Sequence, residues 1–368
     1  MVDNIANIPW AKPNFWGLEE EYVLDALRST WISGGPYVDR FESEVCKFAG
    51  AKEALAVSNG TTAIHLAYLG LGLIPGDEII VPGFCYQAAA NIALQMGLNP
   101  RFADIDPKTY CITAETIEPL ISSKTRLIVA VHTYGNVCAM EEIVALAHGR
   151  GILVLEDAAE SFGSRLHGRQ SGSIGDLGTY SFQATKSVTT GEGGIVLGHD
   201  NDLIRRMKLF RSHGVLGKRY WHEVPGHNFR LSNIQAALGC AQFARFDQIV
   251  AGRKRVERTY QRLLGDVSAV SLQKFTLGVE PVLWTQAVEI DPDAFPQGRD
   301  AVMSQMASKE IETRNAFYSA NQLDIYGKVT DIPNSARIAS NVLCLPTYPS
   351  LTEEDLEFIS LSLLELQR

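Results

Sequence analysis

Residues 176–194 read Asp-Leu-Gly-Thr-Tyr-Ser-Phe-Gln-Ala-Thr-Lys-Ser-Val-Thr-Thr-Gly-Glu-Gly-Gly. An apolar, strand-like piece at 178–182 leads into a loop rich in threonine and glycine, and another apolar piece begins at Gly194. The loop carries Lys186. Most lysines in proteins are solvated surface residues, but the small residues and glycines around this one favour tight backbone packing beside a functional site.

The segment upstream of this loop places acidic residues at the end of another apolar strand. Residues 152–155 are Ile-Leu-Val-Leu, and Glu-Asp-Ala-Ala-Glu follows at 156–160. Asp157 either caps the next element or has a functional role, and the small alanines after it leave room for a flat ring. Glu160 either contacts a flat-ring ligand bound beside these alanines or is an acidic residue in the first turn of a helix, where the helix dipole stabilises its charge.

A loop lysine and a strand-end aspartate together meet the needs of pyridoxal 5'-phosphate. The lysine amine bonds covalently with the aldehyde of this cofactor. The aspartate keeps the pyridine nitrogen protonated, so that the ring withdraws electrons. We therefore expect Lys186 and Asp157 to be catalytic.

Short apolar strands and helical stretches alternate between residue 54 and residue 211. This alternation favours an α/β fold, with a mostly parallel sheet and helices on both of its faces. The predicted strands are residues 54–57, 78–81, 126–131, 152–155, 178–182 and 194–197. One predicted helix follows the first strand and ends at Leu71, and the others span residues 86–96, 140–149 and 202–211.

The remaining residues predict an N-terminal helical segment and a second domain. Residues 17–28 have helical periodicity, with Leu18, Tyr22, Leu24 and Leu27 on the inner face. A helical pattern over 231–264 leads into a less regular α+β region. We expect a large domain over residues 1–245, including a helical segment at 15–50, and a small C-terminal domain over residues 246–368.

Composition narrows the classes of partner and location. The chain has 368 residues, a net charge of −9 and six scattered cysteines without a Cys-x-x-Cys pair. We expect neither nucleic acid nor a membrane as a partner, because no block of Lys or Arg stands out. We also expect no metal site and no disulfide framework. Because no signal peptide and no apolar run of about 18 residues is evident, we expect a cytoplasmic protein.

Three further segments are candidates for ligand contacts. Ser-Asn-Gly-Thr-Thr at 58–62 lies between a strand and a helix, where free N–H groups form either a phosphate site or an ordinary helix cap. The dinucleotide and ATP motifs with their spaced glycines are missing. Tyr86 either stacks on a ring or packs in the core. His132, after an apolar run, lies near the site or is a core histidine with its hydrogen bonds satisfied.

These segments, in this order, resemble the DegT-like family of pyridoxal-phosphate-dependent sugar aminotransferases, which have fold type I, the aspartate-aminotransferase-like fold. The resemblance is densest at 58–62, 156–160, 181–194 and 226–237. It implies a large, mostly parallel-sheet domain with a smaller α+β domain, and homodimers with shared active sites. It also implies cofactor contacts by Gly60, Thr61, Tyr86, Asp157, Ala159, Ser181 and Lys186, and by Asn228 of the partner subunit. Glu160 is a further candidate for a cofactor contact.

Within the family the chain is most similar to enzymes of the GDP-perosamine synthase type, which aminate C4 of a nucleotide-linked 4-keto-6-deoxy sugar. The similar details are residues 29–33 and 219–222. The resemblance implies transfer of an amino group from L-glutamate to a nucleotide-linked keto-sugar in deoxyaminosugar biosynthesis, such as that of lipopolysaccharide O-antigen. The expected substrate contacts are Trp31, Ser33, His132, Arg230, Arg314 and Tyr318.

One segment departs from that type. The synthases have Arg-Pro-Val-Phe-Tyr-Pro-x-His where residues 314–321 are Arg-Asn-Ala-Phe-Tyr-Ser-Ala-Asn. Because prolines stiffen a loop by fixing φ, we expect a loop of different shape, with Asn315, Ser319 and Asn321 near the sugar or nucleotide.

Three alternatives remain. A same-fold enzyme acting on a 3-keto sugar would share the motifs described above. A sugar dehydratase of this fold has a histidine in place of the lysine, and Lys186 argues against it. A pyridoxal-phosphate-binding regulator normally carries a DNA-binding domain, for which residues 1–16 are too short.

Overall fold

The computed structural model describes residues 8–368. No helix in this part of the chain is both long and apolar enough to cross a membrane. The helices are α1 (Leu18–Arg28), α2 (Pro36–Ala49), α3 (Gly60–Leu71), α4 (Ala88–Gln95), α5 (Ala114–Ile117), α6 (Met140–His148), α7 (Asn201–Arg211), α8 (Asn233–Phe243), α9 (Phe246–Leu264), α10 (Arg299–Ser308), α11 (Pro333–Asn341) and α12 (Glu353–Leu364).

Fourteen strands are present in the same described residues. They are β1 (Glu53–Val57), β2 (Glu78–Pro82), β3 (Asn99–Ala103), β4 (Thr125–Val131), β5 (Leu153–Asp157), β6 (Arg165–Leu166), β7 (Arg169–Gln170), β8 (Leu177–Ser181), β9 (Gly194–Gly198), β10 (Val270–Leu272), β11 (Val279–Glu280), β12 (Gln286–Ile290), β13 (Arg314–Asn315) and β14 (Val342–Leu345).

Seven strands form the central sheet, in the order β1-β9-β8-β5-β4-β2-β3. Six of them run in one direction, and β9 runs antiparallel to both of its neighbours, β1 and β8. The carboxyl ends of those six strands therefore meet at one edge of the sheet. The loops after Val57, Pro82, Val131, Asp157 and Ser181 all lie at that edge.

Alternate residues of the central strands pack on opposite faces, as the twofold period of a strand requires. In β4, Ile128 packs in one hydrophobic cluster with α6, whereas Leu127 and Val129 pack in another with α3, α4 and α7. The sheet is therefore covered by helices on both faces, which confirms the predicted α/β architecture.

A second, antiparallel sheet, β10-β12-β14-β13, packs against α9, α10 and α12. Its strands and helices all follow residue 245. Ala287 and Cys344 of this sheet belong to the same hydrophobic cluster as Ile80 and Ile128 of the central sheet, so the two sheets share part of a core. The domain boundary at residue 245 stays a prediction.

The inner face predicted for α1 was wrong in part. Leu24 and Leu27 are exposed, and Ala26 and Glu19 are buried instead. The Glu19 carboxylate accepts hydrogen bonds from the backbone N–H of Trp16 and Gly17 and from Nε2 of Gln242. These hydrogen bonds set which face of α1 points inward. The pattern of hydrophobic residues, from which the inner face was predicted, contains no information about them.

Candidate active site

Lys186 lies in the loop between β8 and β9, two antiparallel neighbours in the sheet. Ser181 pairs with Gly194 at the base of the loop. Above this pair, the Phe182 N–H donates to the carbonyl of Gly193, and the Phe182 carbonyl accepts from the Thr190 N–H. The loop is thus closed like a hairpin, and its backbone holds the lysine above the sheet edge.

The Lys186 side chain is enclosed, with 13% of its surface exposed. Its Nζ atom lies 3.9 Å from Oε1 of Glu160 and 3.6 Å from the centroid of the Trp284 ring. Burial lowers the pKa of Lys186, and the nearby carboxylates of Glu160 and Asp157 oppose that shift. A neutral amine is therefore more accessible near neutral pH than for an ordinary lysine.

Two buried carboxyl groups face this lysine. Asp157 ends β5, which is parallel to β8, and its Oδ1 accepts from the Ala159 N–H at 3.1 Å. Burial raises the pKa of Asp157, and the Ala159 N–H and Lys186 lower it. Burial also raises the pKa of Glu160 to about 7, although its Oε2 accepts from the Tyr134 N–H at 2.9 Å.

The 58–62 segment forms the turn into α3, beside Ser181. A Cβ atom at Gly60 would lie 2.9 Å from Cβ of Ser181, and one at Gly194 would lie 2.4 Å from the Asn59 carbonyl oxygen. Only glycines allow so close an approach. Asn59 caps α3 by accepting from the Thr62 N–H. The N–H groups of Gly60 and Thr61, the first two residues of the helix, have no carbonyl partner one turn earlier and lie at the sheet edge.

Tyr86 follows β2 at the same sheet edge, and 63% of it is exposed. Its ring contacts Phe317, with the centroids 6.0 Å apart. Ala159 is half-buried on the loop after β5. The structure thus brings together at one edge Lys186, Asp157, Glu160, Gly60, Thr61, Ser181, Tyr86 and Ala159.

Asn228 and Arg230 lie on an extended segment beside the end of β1. The Ser58 N–H donates to the Phe229 carbonyl at 2.8 Å, and Nε of Arg230 donates to Oδ1 of Asn228 at 3.0 Å. Both side chains are exposed. The segment therefore flanks the 58–62 turn of its own chain.

Trp31 and Ser33 lie in the exposed loop between α1 and α2. Asn233, the first residue of α8, holds that loop. Its Nδ2 donates to the Trp31 carbonyl at 2.7 Å, and its backbone N–H donates to the Ser33 carbonyl at 2.8 Å. The Trp31 ring is 64% exposed.

His132 was expected to contact substrate, and its placement corrects that expectation. The ring is fully buried. Its Nδ1 accepts from the Cys138 N–H at 3.2 Å, so Nε2 carries the proton and donates to Glu156 at 2.8 Å. The Glu156 carboxylate also accepts from the backbone N–H groups of Gly172, Ile174 and Gly175. His132 is a core residue behind Asp157, with no nitrogen left for a substrate.

A cavity of about 420 Å³ adjoins Trp284, the ring that contacts the Lys186 amine, and Lys186 itself is not part of its lining. Trp284 forms one wall, and its Nε1 donates to the Thr185 carbonyl at 3.0 Å. Arg314 and Tyr318, two expected substrate contacts, also line it. The other aromatic residues of the lining are Trp10, Tyr86, Tyr134 and Phe317, and the other polar ones are Gln87, Asn91 and Asn315.

Several of these residues were not predicted. Trp284 is isolated in the sequence, and its role depends on Arg253 of α9, a buried guanidinium that donates to the carbonyls of Leu283 and Trp284. Burial lowers the pKa of Arg253 to about 10. No spacing rule links residue 253 or residue 284 with residue 186, so only the tertiary structure identifies this contact.

The 314–321 segment differs in part from expectation. Asn315 lines the cavity, whereas Ser319 is buried and Asn321 is exposed, and neither of these two is part of the lining. The Ser319 hydroxyl hydrogen-bonds Asn321 and Gln322, and the following N–H of Ala320 donates to Gly83. Hydrogen bonds within the chain therefore order this loop in place of prolines, and Ser319 and Asn321 do not face a ligand in the cavity.

The residues at the sheet edge fit the functional groups of pyridoxal 5'-phosphate. Lys186 offers an amine to an aldehyde. Asp157 offers a buried carboxylate whose raised pKa a cationic ring nitrogen would lower. The first turn of α3, brought against Ser181 by Gly60, offers N–H donors to a phosphate.

Comparisons with known proteins agree with this fit. Residues 17–363 match the model of the DegT/DnrJ/EryC1/StrS aminotransferase family. The chain is 37% identical over 361 residues to GDP-perosamine synthase of Caulobacter vibrioides, covering 97% of each protein. It is 31% identical to the putative pyridoxal phosphate-dependent aminotransferase EpsN of Bacillus subtilis, covering 93% of this chain and 91% of EpsN.

Its fold matches that of Helicobacter pylori PseC, an aminotransferase involved in the biosynthesis of pseudoaminic acid. The TM-score is 0.93 at 26% identity, covering 98% of each chain. The predicted fold type and cofactor are thereby confirmed. The chain belongs to the DegT/DnrJ/EryC1/StrS aminotransferase family, and it is a pyridoxal-phosphate-dependent aminotransferase.

Proposed function

We propose that this enzyme transfers the amino group of L-glutamate to C4 of a nucleotide-linked 4-keto-6-deoxyhexose. The observation that carries the proposal is the aromatic cavity that adjoins Lys186 through Trp284. The similarity to GDP-perosamine synthase along nearly the whole chain supports it.

The cavity wall suits a sugar. Tyr134, Trp284 and Phe317 form a group of rings, with 13° between Trp284 and Phe317, 27° between Tyr134 and Phe317 and 32° between Tyr134 and Trp284. Flat aromatic faces pack well against the C–H faces of a pyranose ring, because both surfaces are apolar. Arg314 is exposed at this cavity and forms an ion pair with Glu312 at 2.5 Å. Its remaining N–H groups would bind the diphosphate of a nucleotide sugar.

Pyridoxal 5'-phosphate, when bound, withdraws electrons from the carbon that carries the migrating amino group and so makes its proton acidic. Lys186 then holds or moves that proton through Nζ, which requires an amine that is neutral near pH 7. Its enclosed position supports this role, since burial lowers the pKa of Lys186. Burial raises the pKa of Glu160 to about 7, and its Oε1 lies 3.9 Å from Nζ, so it would exchange a proton with the amine through one bridging water.

The other residues at the sheet edge bind and orient. Asp157 keeps the pyridine nitrogen protonated through its buried carboxylate. The first turn of α3, with Gly60 and Thr61, and the Ser181 hydroxyl hold the phosphate. Tyr86 and Ala159 enclose the two faces of the ring and exclude water, which strengthens the Asp157 interaction by lowering the local dielectric constant.

We also propose a homodimer in which each site uses Asn228 of the partner subunit. Exposed apolar residues support an interface between copies of this chain. They occur in α1 and the loop after it and in the 212–228 segment, and they are Leu24, Leu27, Trp31, Ile32, Tyr220 and Trp221. Arg230, Trp31 and Ser33, which lie outside the cavity, would reach a substrate that extends across this interface.

The setting proposed for the reaction is the cytoplasm, in the biosynthesis of a deoxyaminosugar such as that of an O-antigen. All six cysteines are free, which supports a reducing compartment. The division of the chain at residue 245 into a cofactor-binding domain and a small domain is part of the same proposal. Neither nucleic acid nor a membrane is proposed as a partner.

The decisive experiment compares kcat/KM of the purified enzyme for GDP-, UDP- and dTDP-linked 4-keto-6-deoxyhexoses and their 3-keto isomers, with L-glutamate as donor. A clear preference for one 4-keto sugar is expected. Preference for a 3-keto isomer, or for a sugar without nucleotide, would contradict the assignment to C4. Net loss of a hydroxyl without amination would instead favour a dehydratase, an outcome that Lys186 argues against.

A further inference from the structure

Gln87 has hydrogen-bonding groups that the chain leaves unused. It lies between Tyr86 and the first residue of α4 and is only 8% exposed. Both Nε2 and Oε1 are buried and have no partner. Among residues 8–368, it is the one side chain with two such atoms. Burying an amide without partners is unfavourable, so these two atoms point to a partner from outside the chain.

The adjoining cavity is where a ligand for Gln87 would bind. Gln87 lines the cavity that Trp284 connects with Lys186. Two other polar side chains of the lining are engaged within the chain. Oδ1 of Asn91 accepts from the Tyr326 hydroxyl at 2.5 Å, and Nδ2 of Asn315 donates to the Ala316 carbonyl at 2.8 Å.

We propose that Gln87 is a specificity-determining residue that binds hydroxyl groups of the hexose in the amino acceptor. This inference rests on the proposed function. A primary amide offers two donors and one acceptor. A hydroxyl group both donates and accepts, so neighbouring hydroxyls of a pyranose satisfy Nε2 and Oε1 together while the ring packs on the aromatic walls.

The contact makes the site selective, because a sugar without the hydroxyl leaves the buried amide unpaired. A site built to hydrogen-bond a hydroxyl discriminates more strongly than an apolar site that merely tolerates it. The nucleotide and the amino donor do not use this contact. Gln87 is therefore a residue for the acceptor sugar alone.

The first experiment compares the thermal stability of the Gln87→Leu holoenzyme with that of the wild type, without sugar. Leucine removes an unpaired buried amide from the free enzyme, so Tm is expected to rise by about 1–3 °C. Gln95→Leu, at the exposed end of the same helix, is the matched control. A fall in Tm confined to Gln87→Leu would assign the residue a structural role and overturn the proposal.

The second experiment separates the hexose from the rest of the substrate. The probes are GDP-mannose and GDP, with binding measured by calorimetry, and kcat/KM is measured with GDP-4-keto-6-deoxymannose. Gln87→Leu is expected to weaken GDP-mannose binding and kcat/KM about tenfold, the effect of one or two lost hydrogen bonds. GDP affinity and the glutamate half-reaction, followed by the cofactor's absorbance, are expected to stay unchanged.

Equal losses for GDP-mannose and GDP, or a matching loss in the glutamate half-reaction, would overturn the role of Gln87. So would unchanged binding and turnover. If the wild-type enzyme binds neither probe and aminates none of the ketosugars, the proposed function fails instead. The Tm comparison of Gln87→Leu with Gln95→Leu then still separates a ligand-binding residue from a structural one.

Discussion

The ammonium group of Lys186 lies over the indole face of Trp284, with Nζ 3.6 Å from the ring centroid. The same indole donates from Nε1 to the carbonyl of Thr185, the residue before the lysine. Trp284 thus contacts both the side chain and the backbone of the lysine loop. Arg253 fixes the tryptophan in turn through the carbonyls of Leu283 and Trp284.

The first prediction concerns the charge state of Lys186. Trp284→Leu removes a ring face that stabilises the ammonium form, so we expect the pKa of Lys186 in the cofactor-free protein to fall further below its usual range. The pH dependence of Lys186 acylation, followed by mass spectrometry, measures it. Trp284→Phe keeps a ring face but loses the indole N–H. An equal shift in both variants would assign the effect to the Thr185 contact.

The second prediction concerns Asp157. Asp157→Asn keeps the shape of the side chain but removes the charge that holds the pyridine nitrogen protonated. We expect kcat to fall about 10²–10³-fold, a typical effect of losing one electrostatic contact in a transition state. Steady-state kinetics at saturating cofactor measures it, and Asp202→Asn on the surface of α7 is the control. Unchanged kcat with cofactor still bound would rule out this role.

The third prediction concerns pH and stability through Glu160. Burial raises its pKa from 4.5 to about 7. The folded state therefore binds this proton more tightly than the unfolded state does. The resulting stabilisation is complete below pH 4.5 and is lost as the pH rises through about 7, by about 3 kcal/mol in total.

Glu160→Gln mimics the protonated acid and removes this dependence. The free energy of unfolding of the cofactor-free wild type should fall more steeply between pH 5 and pH 7.5, roughly the range set by the two pKa values, than that of the variant. Urea denaturation at several pH values measures both slopes. Parallel slopes would mean that Glu160 keeps an ordinary pKa in the folded protein.

The fourth prediction tests the shared active site. Chains with Lys186→Ala and chains with Asn228→Ala are mixed under conditions that exchange subunits. If Asn228 serves the partner's site, each mixed dimer has one site with both defects and one site with neither. We expect each parent to be nearly inactive and the mixture to regain about a quarter of wild-type activity. Proven exchange without recovery would show that Asn228 does not act across an interface.

The sequence predicted the central strands well because each is a short, uniformly apolar run. Residues 54–57 and 194–197, for example, match β1 and β9 to within one residue at either end. Strand β3, Asn-Pro-Arg-Phe-Ala, was not predicted, because an edge strand with alternating exposure lacks that apolar signal. The predicted helix over 231–264 is two helices, since α8 ends at Phe243 and α9 begins at Phe246.

The lysine and the two carboxyl groups could be found from sequence because each follows a strand of a parallel sheet, so their proximity is a consequence of topology. Trp284 and Gln87 could not be found in this way. Trp284 precedes a strand of the second sheet, and the buried Arg253 holds it by a hydrogen bond to its carbonyl. Gln87 is a candidate because its buried amide has no hydrogen-bond partner within the chain. Neither property leaves a local pattern in the chain.

The hairpin-like closure of the lysine loop also bears on how such an enzyme changes during evolution. The loop is fastened to its own sheet through Ser181 and Gly194, whereas the 314–321 wall rests on Gly83 and on the Tyr134 hydroxyl. The two parts are held by different backbone hydrogen bonds, and Trp284 is a contact that they share. Substitutions in the wall that keep the Trp284 contact can therefore accumulate without displacing the lysine, so a lineage can acquire new acceptor sugars while it inherits an unaltered catalytic centre.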